Sequence, residues 1–346
     1  MLCLAVIAVG IALRQVDRVW FARGRPRAAG AAELISLQRR RANNWSPVLL
    51  LCGQWLQIVG WWLLAGRGPL PALAAAVGVA VACRHLQEIS HFAVHGVLAR
   101  TARANRLLGE AFVHLPMGLV PVEVRRRRHV RDHHPHATLA ADPNLAELRR
   151  AGLRPGIARR QFAVAFVLPL TPRGMWSTLS EIAGNLRRSP ARIAMVATVT
   201  AAALLVGGVN AVVFAMLVPR LLLYPLLAWL SLLVEHTWFD ADHRVGTPAE
   251  VEAGRCLRLY PHNRILAAVA AATWLPYGDL HHFAHSAHPA VRWNYLPALE
   301  RHLGSPHYSP TGLLVGTETV AGRHLRALRS TTDTPAEEKA SVHLAV

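Results

Sequence analysis

Long stretches of this chain carry no charge, and their lengths restrict what it can fold into. Residues 47–66 are 20 uncharged residues in a row, about what a helix needs to cross the hydrocarbon core of a bilayer. Gly66-Arg67-Gly68-Pro69 breaks that run. A second uncharged run covers 68–83 and extends as helix through Arg84-His85-Leu86-Gln87. The two read as a transmembrane hairpin. Residues 193–234 carry one charge, Arg220, and Gly207-Gly208-Val209-Asn210 near the middle is a turn signal. This reads as a second hairpin, its first limb borrowing residues from 189–192.

The shorter stretches read differently. Residues 1–13 are too short to span and lack a basic residue ahead of them, and read as an interfacial or signal-anchor-like segment. Residues 14–41 are basic. Residues 101–160 mix apolar patches with the basic run 125–128 and read as helices against the membrane, as does 161–171. Residues 265–277 read as a helix on or partly in the membrane. The expected division is a basic, interfacial segment over 1–45, a membrane domain over 46–325 and a polar, mobile tail over 326–346. The expected fold is an all-α integral membrane protein: two transmembrane helical hairpins, hence four spans, with a cytoplasmic helical cap carrying the histidine clusters.

The formal net charge is +18, and Lys339 is the only lysine, so arginine supplies nearly all the positive charge. Because the arginines flank the apolar runs, the basic excess points to a lipid bilayer and not to nucleic acid. Arginines within 14–41, 125–131, 149–160 and 187–192 fall on one side of the two hairpins, and the opposite turns carry only Arg67. The positive-inside rule places the first side in the cytoplasm. Every dense histidine cluster falls on that same side.

There are 19 histidines and four cysteines, none of the latter spaced C-x-x-C. No disulfide framework or thiolate zinc site is indicated. His91 and His95 are one helical turn apart on one face, with Glu88 positioned behind His91 to orient it. Alone, that spacing also fits two polar residues at a headgroup boundary. His129 and His133 share a face, with His134 offset by about 100° on a continuing α-helix, and His136 follows. A basic anion-binding surface is the plainer reading there. His281, His282, His285 and His288 form a third cluster, and His236 stands alone after the second hairpin, as an interface residue or a ligand. So many imidazoles suggest two metal ions, with iron, copper, zinc and nickel all compatible. The protease pattern H-E-x-x-H is absent.

The order H-x-x-x-H, H-x-x-x-H-H, lone histidine, H-x-x-H resembles the membrane fatty acid desaturase superfamily over residues 47–299. Asp142-Pro143 and the segment Pro289-Ala290-Val291-Arg292-Trp293-Asn294-Tyr295-Leu296-Pro297 are similar to it as well. The resemblance implies a di-iron centre without haem, O₂ as co-substrate, and electrons from a separate donor of ferredoxin, rubredoxin or cytochrome type. It implies His91, His95, His129, His133, His134, His236, His282 and His285 as ligands. The third box departs from the usual H-x-x-H-H: Ser286 stands where the last histidine would fall. His281, His288 or a water is left to fill that place.

Such a centre breaks unactivated C–H bonds. A second hydrogen abstraction gives a double bond, and oxygen rebound gives an alcohol. The leading expectation is a desaturase of acyl-lipid, acyl-CoA or acyl carrier protein. Alternatives are a hydroxylase or ketolase acting on a carotenoid, alkyl chain or natural product, and a non-catalytic metal-binding membrane protein, which Ser286 keeps open. Trp55, Trp61, Trp62 and Trp238 are candidates to line an acyl tunnel, with interfacial anchoring the simpler account. Arg220 inside a span invites a functional reading, or a snorkelling one.

Overall fold

The computed structural model describes residues 1–20 and 24–330. Among them the regular structure is helical, with isolated β-bridges and no strand. The predicted tail falls largely on 331–346, outside the described residues.

The first four helices are α1 (Leu2–Trp20), α2 (Ala31–Gln38), α3 (Ser46–Ala65) and α4 (Pro69–Val94). Pro47 and Pro69 sit in the first turns of α3 and α4, where a missing N–H costs nothing. Between them Gly68 takes φ 137°, a conformation open to glycine, and reverses the chain. α4 runs beyond the expected 68–87 and carries His91 itself. It stops in a Schellman turn: Gly96 takes φ 76°, its N–H donates to Ala93 O at 3.0 Å, and Val97 N–H donates to Phe92 O at 2.9 Å. That turn fixes His95 as the residue that caps the end of α4.

α1 lies along α3 at close range. A Cβ on Gly53 would come within 2.8 Å of the Gly10 carbonyl oxygen, so both helices need glycine at the crossing. The polar end of α1 is anchored too. Asp17 is buried and accepts from Ser46 Oγ and from Trp293 Nε1, the latter at 2.9 Å.

A layer of short helices follows: α5 (Ala102–Gly109), α6 (Val122–Arg126), α7 (Pro143–Arg150), α8 (Arg159–Phe166) and α9 (Pro172–Arg187). Two π-helical turns interrupt it, Glu110–His114 and Arg127–His133. Then come α10 (Pro190–Val212) and α11 (Tyr224–Glu235), joined by further π-helical turns. The chain closes with α12 (Pro248–Arg255), α13 (Arg264–Ala272), α14 (His282–Ala287), α15 (Leu296–Leu303) and α16 (Val320–Ser330).

Among the described residues, three helical stretches are long and apolar enough to cross a membrane: Asn43–Ala65, Pro69–Val94 and Pro190–Glu235. The expectation was four spans; the last stretch is continuous for 46 residues but contains one non-helical residue, Gly208, at φ 67° and ψ −163°. Arg192 and Arg220, on either side of Gly208, both donate to the short segment 117–119: Arg192 to Leu119 O at 2.7 Å, Arg220 to Met117 O. Gly207 instead abuts Gly66, where a Cβ would meet Gly207 O at 3.1 Å. The two limbs therefore return to one place from a turn at Gly208. Arg220 is spent on a backbone carbonyl and on Tyr224, whose ring centre lies 5.3 Å from its guanidinium carbon.

The segment after the third histidine cluster is tied to α4. Arg292 donates to Val97 O and Leu98 O, each at 2.6 Å, and to Asn43 O at 2.8 Å. One buried guanidinium thus satisfies three carbonyls and holds the α14–α15 region under the end of α4.

Candidate metal centre

Five histidines converge. His91, His95, His129, His134 and His285 present ligand atoms that all lie within 4.8 Å of one another. They come from α4, from the π-helical turn after α6 and its continuation, and from α14. The Nε2 atoms of His91 and His129 are 2.7 Å apart, those of His91 and His95 3.1 Å, and those of His95 and His129 3.0 Å. His134 Nε2 is 3.2 Å from that of His95 and 3.1 Å from that of His129.

Hydrogen bonding cannot satisfy this cluster. Glu88 Oε1 lies 2.7 Å from His91 Nδ1. A proton there leaves Nε2 of His91 as a lone pair facing the centre. Both nitrogens of His285 are buried without a hydrogen-bond partner among the described residues, although its ring centre is 4.6 Å from those of His91 and His95. Burial holds His95, His129, His134 and His285 well below the usual imidazole range, and neighbouring imidazoles push them down further. Neutral rings with converging lone pairs fit a cation. For a metal–nitrogen bond of about 2.1 Å, ligands at right angles stand roughly 3.0 Å apart, and tetrahedral ones roughly 3.4 Å. The observed 2.7–3.2 Å are of that order, so the converging nitrogens are close enough to one another to be shared by a single cation.

The remaining three predicted residues lie beside this group. His133, Glu235 and His236 come together, as do His236, Cys256 and His282, with His236 common to both. His282 Nε2 is 3.1 Å from His236 Nε2. His133 Nδ1 lies 2.9 Å from Asp142 Oδ1, and its Nε2 is buried without a partner. Asp142 also caps α7, accepting from Asn144 N–H at 2.8 Å. The Asp142-Pro143 pair thus has a physical role: one carboxylate starts a helix and orients a histidine. Burial, followed by neighbouring imidazoles, lowers His236 and His282 as well. Trp238 closes this side, its ring centre 4.8 Å from that of His236.

The second cluster divides differently from its expected helical face. His129 pairs with His134, and His133 goes to the neighbouring group. The cause is the π-helical turn, which brings residues five apart into register. In α14 the pair His282 and His285, three apart, likewise serves the two groups separately.

Neither His281 nor His288 joins these groups among the described residues. His281 Nδ1 is 2.6 Å from Glu300 Oε2, which turns the ring away. Ser286 Oγ donates to Glu252 Oε2 at 2.9 Å. Sequence reasoning passed over Glu235, Cys256 and Glu252. Glu235 adjoins His236, a signal that was available; Cys256 and Glu252 carried none.

Behind the first group lies a buried ionic network. Arg84 reaches Glu88 Oε2 at 3.3 Å, Ser231 Oγ at 2.7 Å and Asp279 Oδ2. It links α4, α11 and the approach to α14, so the orientation of Glu88, and through it His91, is set by three elements.

The family model for fatty acid desaturases matches residues 68–311. The chain belongs to the fatty acid desaturase family. That span takes in α4, every histidine of both groups and α15. No curated protein matches the chain, and no solved structure does. Membership of this family carries oxidoreductase chemistry as its activity class.

Proposed function

We propose that this protein is a multi-pass membrane desaturase. It would use two histidine-bound iron ions and O₂ to introduce a double bond into a long acyl chain. The observation that carries the reading is the division of eight histidines into two adjacent groups that share no donor but meet through stacked and tilted rings. His129 and His133 ring centres are 5.3 Å apart, and those of His282 and His285 are 5.8 Å apart. The turn at Gly208 supports four membrane crossings, and the arginine distribution supports a cytoplasmic face for the histidines.

Bound iron supplies the oxidising power for O₂-dependent cleavage of an unactivated C–H bond. The chain's own residues hold and orient. His91, His95, His129, His134 and His285 would hold one ion, and His133, His236 and His282 the other. Glu88 and Asp142 fix the proton on Nδ1 of His91 and His133, leaving Nε2 free to bind. Trp238 excludes water from one side. In the net reaction a –CH₂–CH₂– unit loses two hydrogens, O₂ becomes two waters, and two protons and two electrons are consumed. The electrons come from a separate donor protein of ferredoxin, rubredoxin or cytochrome type. The substrate is an acyl-lipid, acyl-CoA or acyl carrier protein.

Mass spectrometry of lipids from a host expressing the chain tests this. New monounsaturated acyl chains, absent with His95→Ala, are the expected result. Hydroxylated or ketone products would assign the chain to the oxygenating branch instead. No product, with no iron in the purified protein, would overturn both.

A further inference from the structure

We propose that Cys256 is a sulfur ligand of the second metal ion, taking the place of the histidine that Ser286 replaces; this rests on the di-metal reading above. The backbone puts Cys256 there. His236 and Cys256 form an isolated antiparallel β-bridge, with Thr237 N–H donating to Arg255 O at 2.8 Å. Directly opposed residues of an antiparallel pair carry their side chains on the same face. Sγ stands 3.5 Å from His236 Nδ1, and the ligand atoms of His236, Cys256 and His282 lie within 4.8 Å of one another, all three residues buried.

Two further observations point to a ligand. His133 Nε2, on a side chain 1% exposed, has no hydrogen-bond partner among the described residues, and its ring centre is 5.3 Å from that of His236. A buried nitrogen left without a hydrogen bond is costly unless something binds it. Ser286 Oγ donates to Glu252 Oε2 at 2.9 Å, the same oxygen that lies 3.5 Å from Cys256 Sγ, so serine, glutamate and cysteine sit together on one side of this group. Replacing a histidine by serine on α14 shortens that side chain, and α12 supplies the glutamate and the residue just after α12 the cysteine, on the same side. On binding, the S–H bond breaks and a sulfur–metal bond forms; the proton passes to Glu252 Oε2, 3.5 Å from Sγ, and from there to solvent.

Zinc is the probe. The purified full-length protein, loaded with zinc, is examined by X-ray absorption at the zinc edge. Zinc–sulfur bonds near 2.3 Å are resolved from zinc–nitrogen bonds at about 2.0–2.1 Å. The expected result is a sulfur shell in the parent protein. Cys256→Ser should lose it, while Cys52→Ser, at an exposed cysteine, should keep it. Ser286→His in the Cys256→Ser chain should restore full zinc content with nitrogen alone. Zinc held by nitrogen and oxygen only in the parent would overturn the proposal and leave the histidine centre standing. That is the pattern of a cysteine that merely hydrogen-bonds to His236. A sulfur shell that survives Cys256→Ser would also overturn it. A protein that takes up no zinc would overturn the centre itself.

Discussion

His129 and His134, five residues apart, place their Nε2 atoms 3.1 Å from each other, while His133 between them serves the neighbouring group with Glu235 and His236. The π-helical turn Arg127–His133 therefore acts as a divider that feeds one segment of chain into two metal groups. Substitutions at adjacent positions should then empty different sites. His134→Ala should lower the affinity of the five-histidine group and leave the other, and His133→Ala the reverse. Each should abolish product, whereas His136→Ala, whose Nδ1 is held by the Asp132 carbonyl at 3.0 Å, should retain it. Metal content and product yield on the three variants check this. Loss of both ions in either ligand variant would mean one indivisible site.

Asp142 does two jobs that can be separated. It caps α7, and it orients His133. Asparagine caps a helix as well as aspartate does, whereas alanine costs about 1 kcal/mol. Asp142→Asn should keep thermal stability but weaken metal binding at the His133 group by roughly 10–100-fold, as loss of a partner behind a ligand does. Asp142→Ala should lose both. Unfolding curves and metal titrations on the two variants separate the roles, and equal metal affinity in parent and Asp142→Asn would refute the orienting one.

The sequence carried much of this. Apolar runs revealed α3, α4 and the α10–α11 stretch, because lipid tolerates little charge over such lengths. The histidine spacing marked out three clusters, and the resemblance to the desaturases picked from them, with the lone His236, the eight residues that the fold gathers into two groups. Their division was hidden, because a π-helical turn has no residue signature and the α-helical period put His129 with His133. The Gly10–Gly53 crossing of α1 on α3 was hidden too: arginines at 14 and 18 masked a helix whose glycines, not its mean hydropathy, decide its packing. Cys256 was invisible because its neighbour across the bridge lies 20 residues away.

Away from the metal groups, His324 should make the fold acid-sensitive. It is buried on α16, its Nε2–H donates to Leu233 O at 2.9 Å, and burial pushes it down to about 4. An unfolded imidazole titrates at about 6.5. Between those values the unfolded chain binds a proton that the folded chain does not, so stability is complete above about 6.5 and falls as pH drops towards 4. Lowering pH from about 6.5 to about 5 should cost roughly 2 kcal/mol from this residue alone. Unfolding in detergent at the two pH values should show a smaller acid penalty in His324→Gln than in the parent. An identical penalty would remove His324 from the account.

Gly208 should be a restrictive position in the apolar stretch. Nothing lies within 4 Å of a Cβ built there, so crowding is not the constraint. The constraint is the backbone: φ 67° with ψ −163° is essentially closed to residues with a side chain, and holding one there costs about 1–3 kcal/mol. Gly207 is restricted for the opposite reason, since a Cβ there would run into the Ala211 side chain at 2.7 Å as well as the backbone of Trp62. Gly208→Val should therefore lower the yield of folded protein by straightening the turn, and Gly208→Asn should lower it as well, because asparagine's tolerance of positive φ is confined to the left-handed helical region. If straightening is the failure, Arg192 and Arg220 no longer reach the same segment. A cysteine pair introduced at Leu119 and Arg192 should then cross-link in the parent and not in Gly208→Val. Equal cross-linking in both would show that the turn does not depend on glycine.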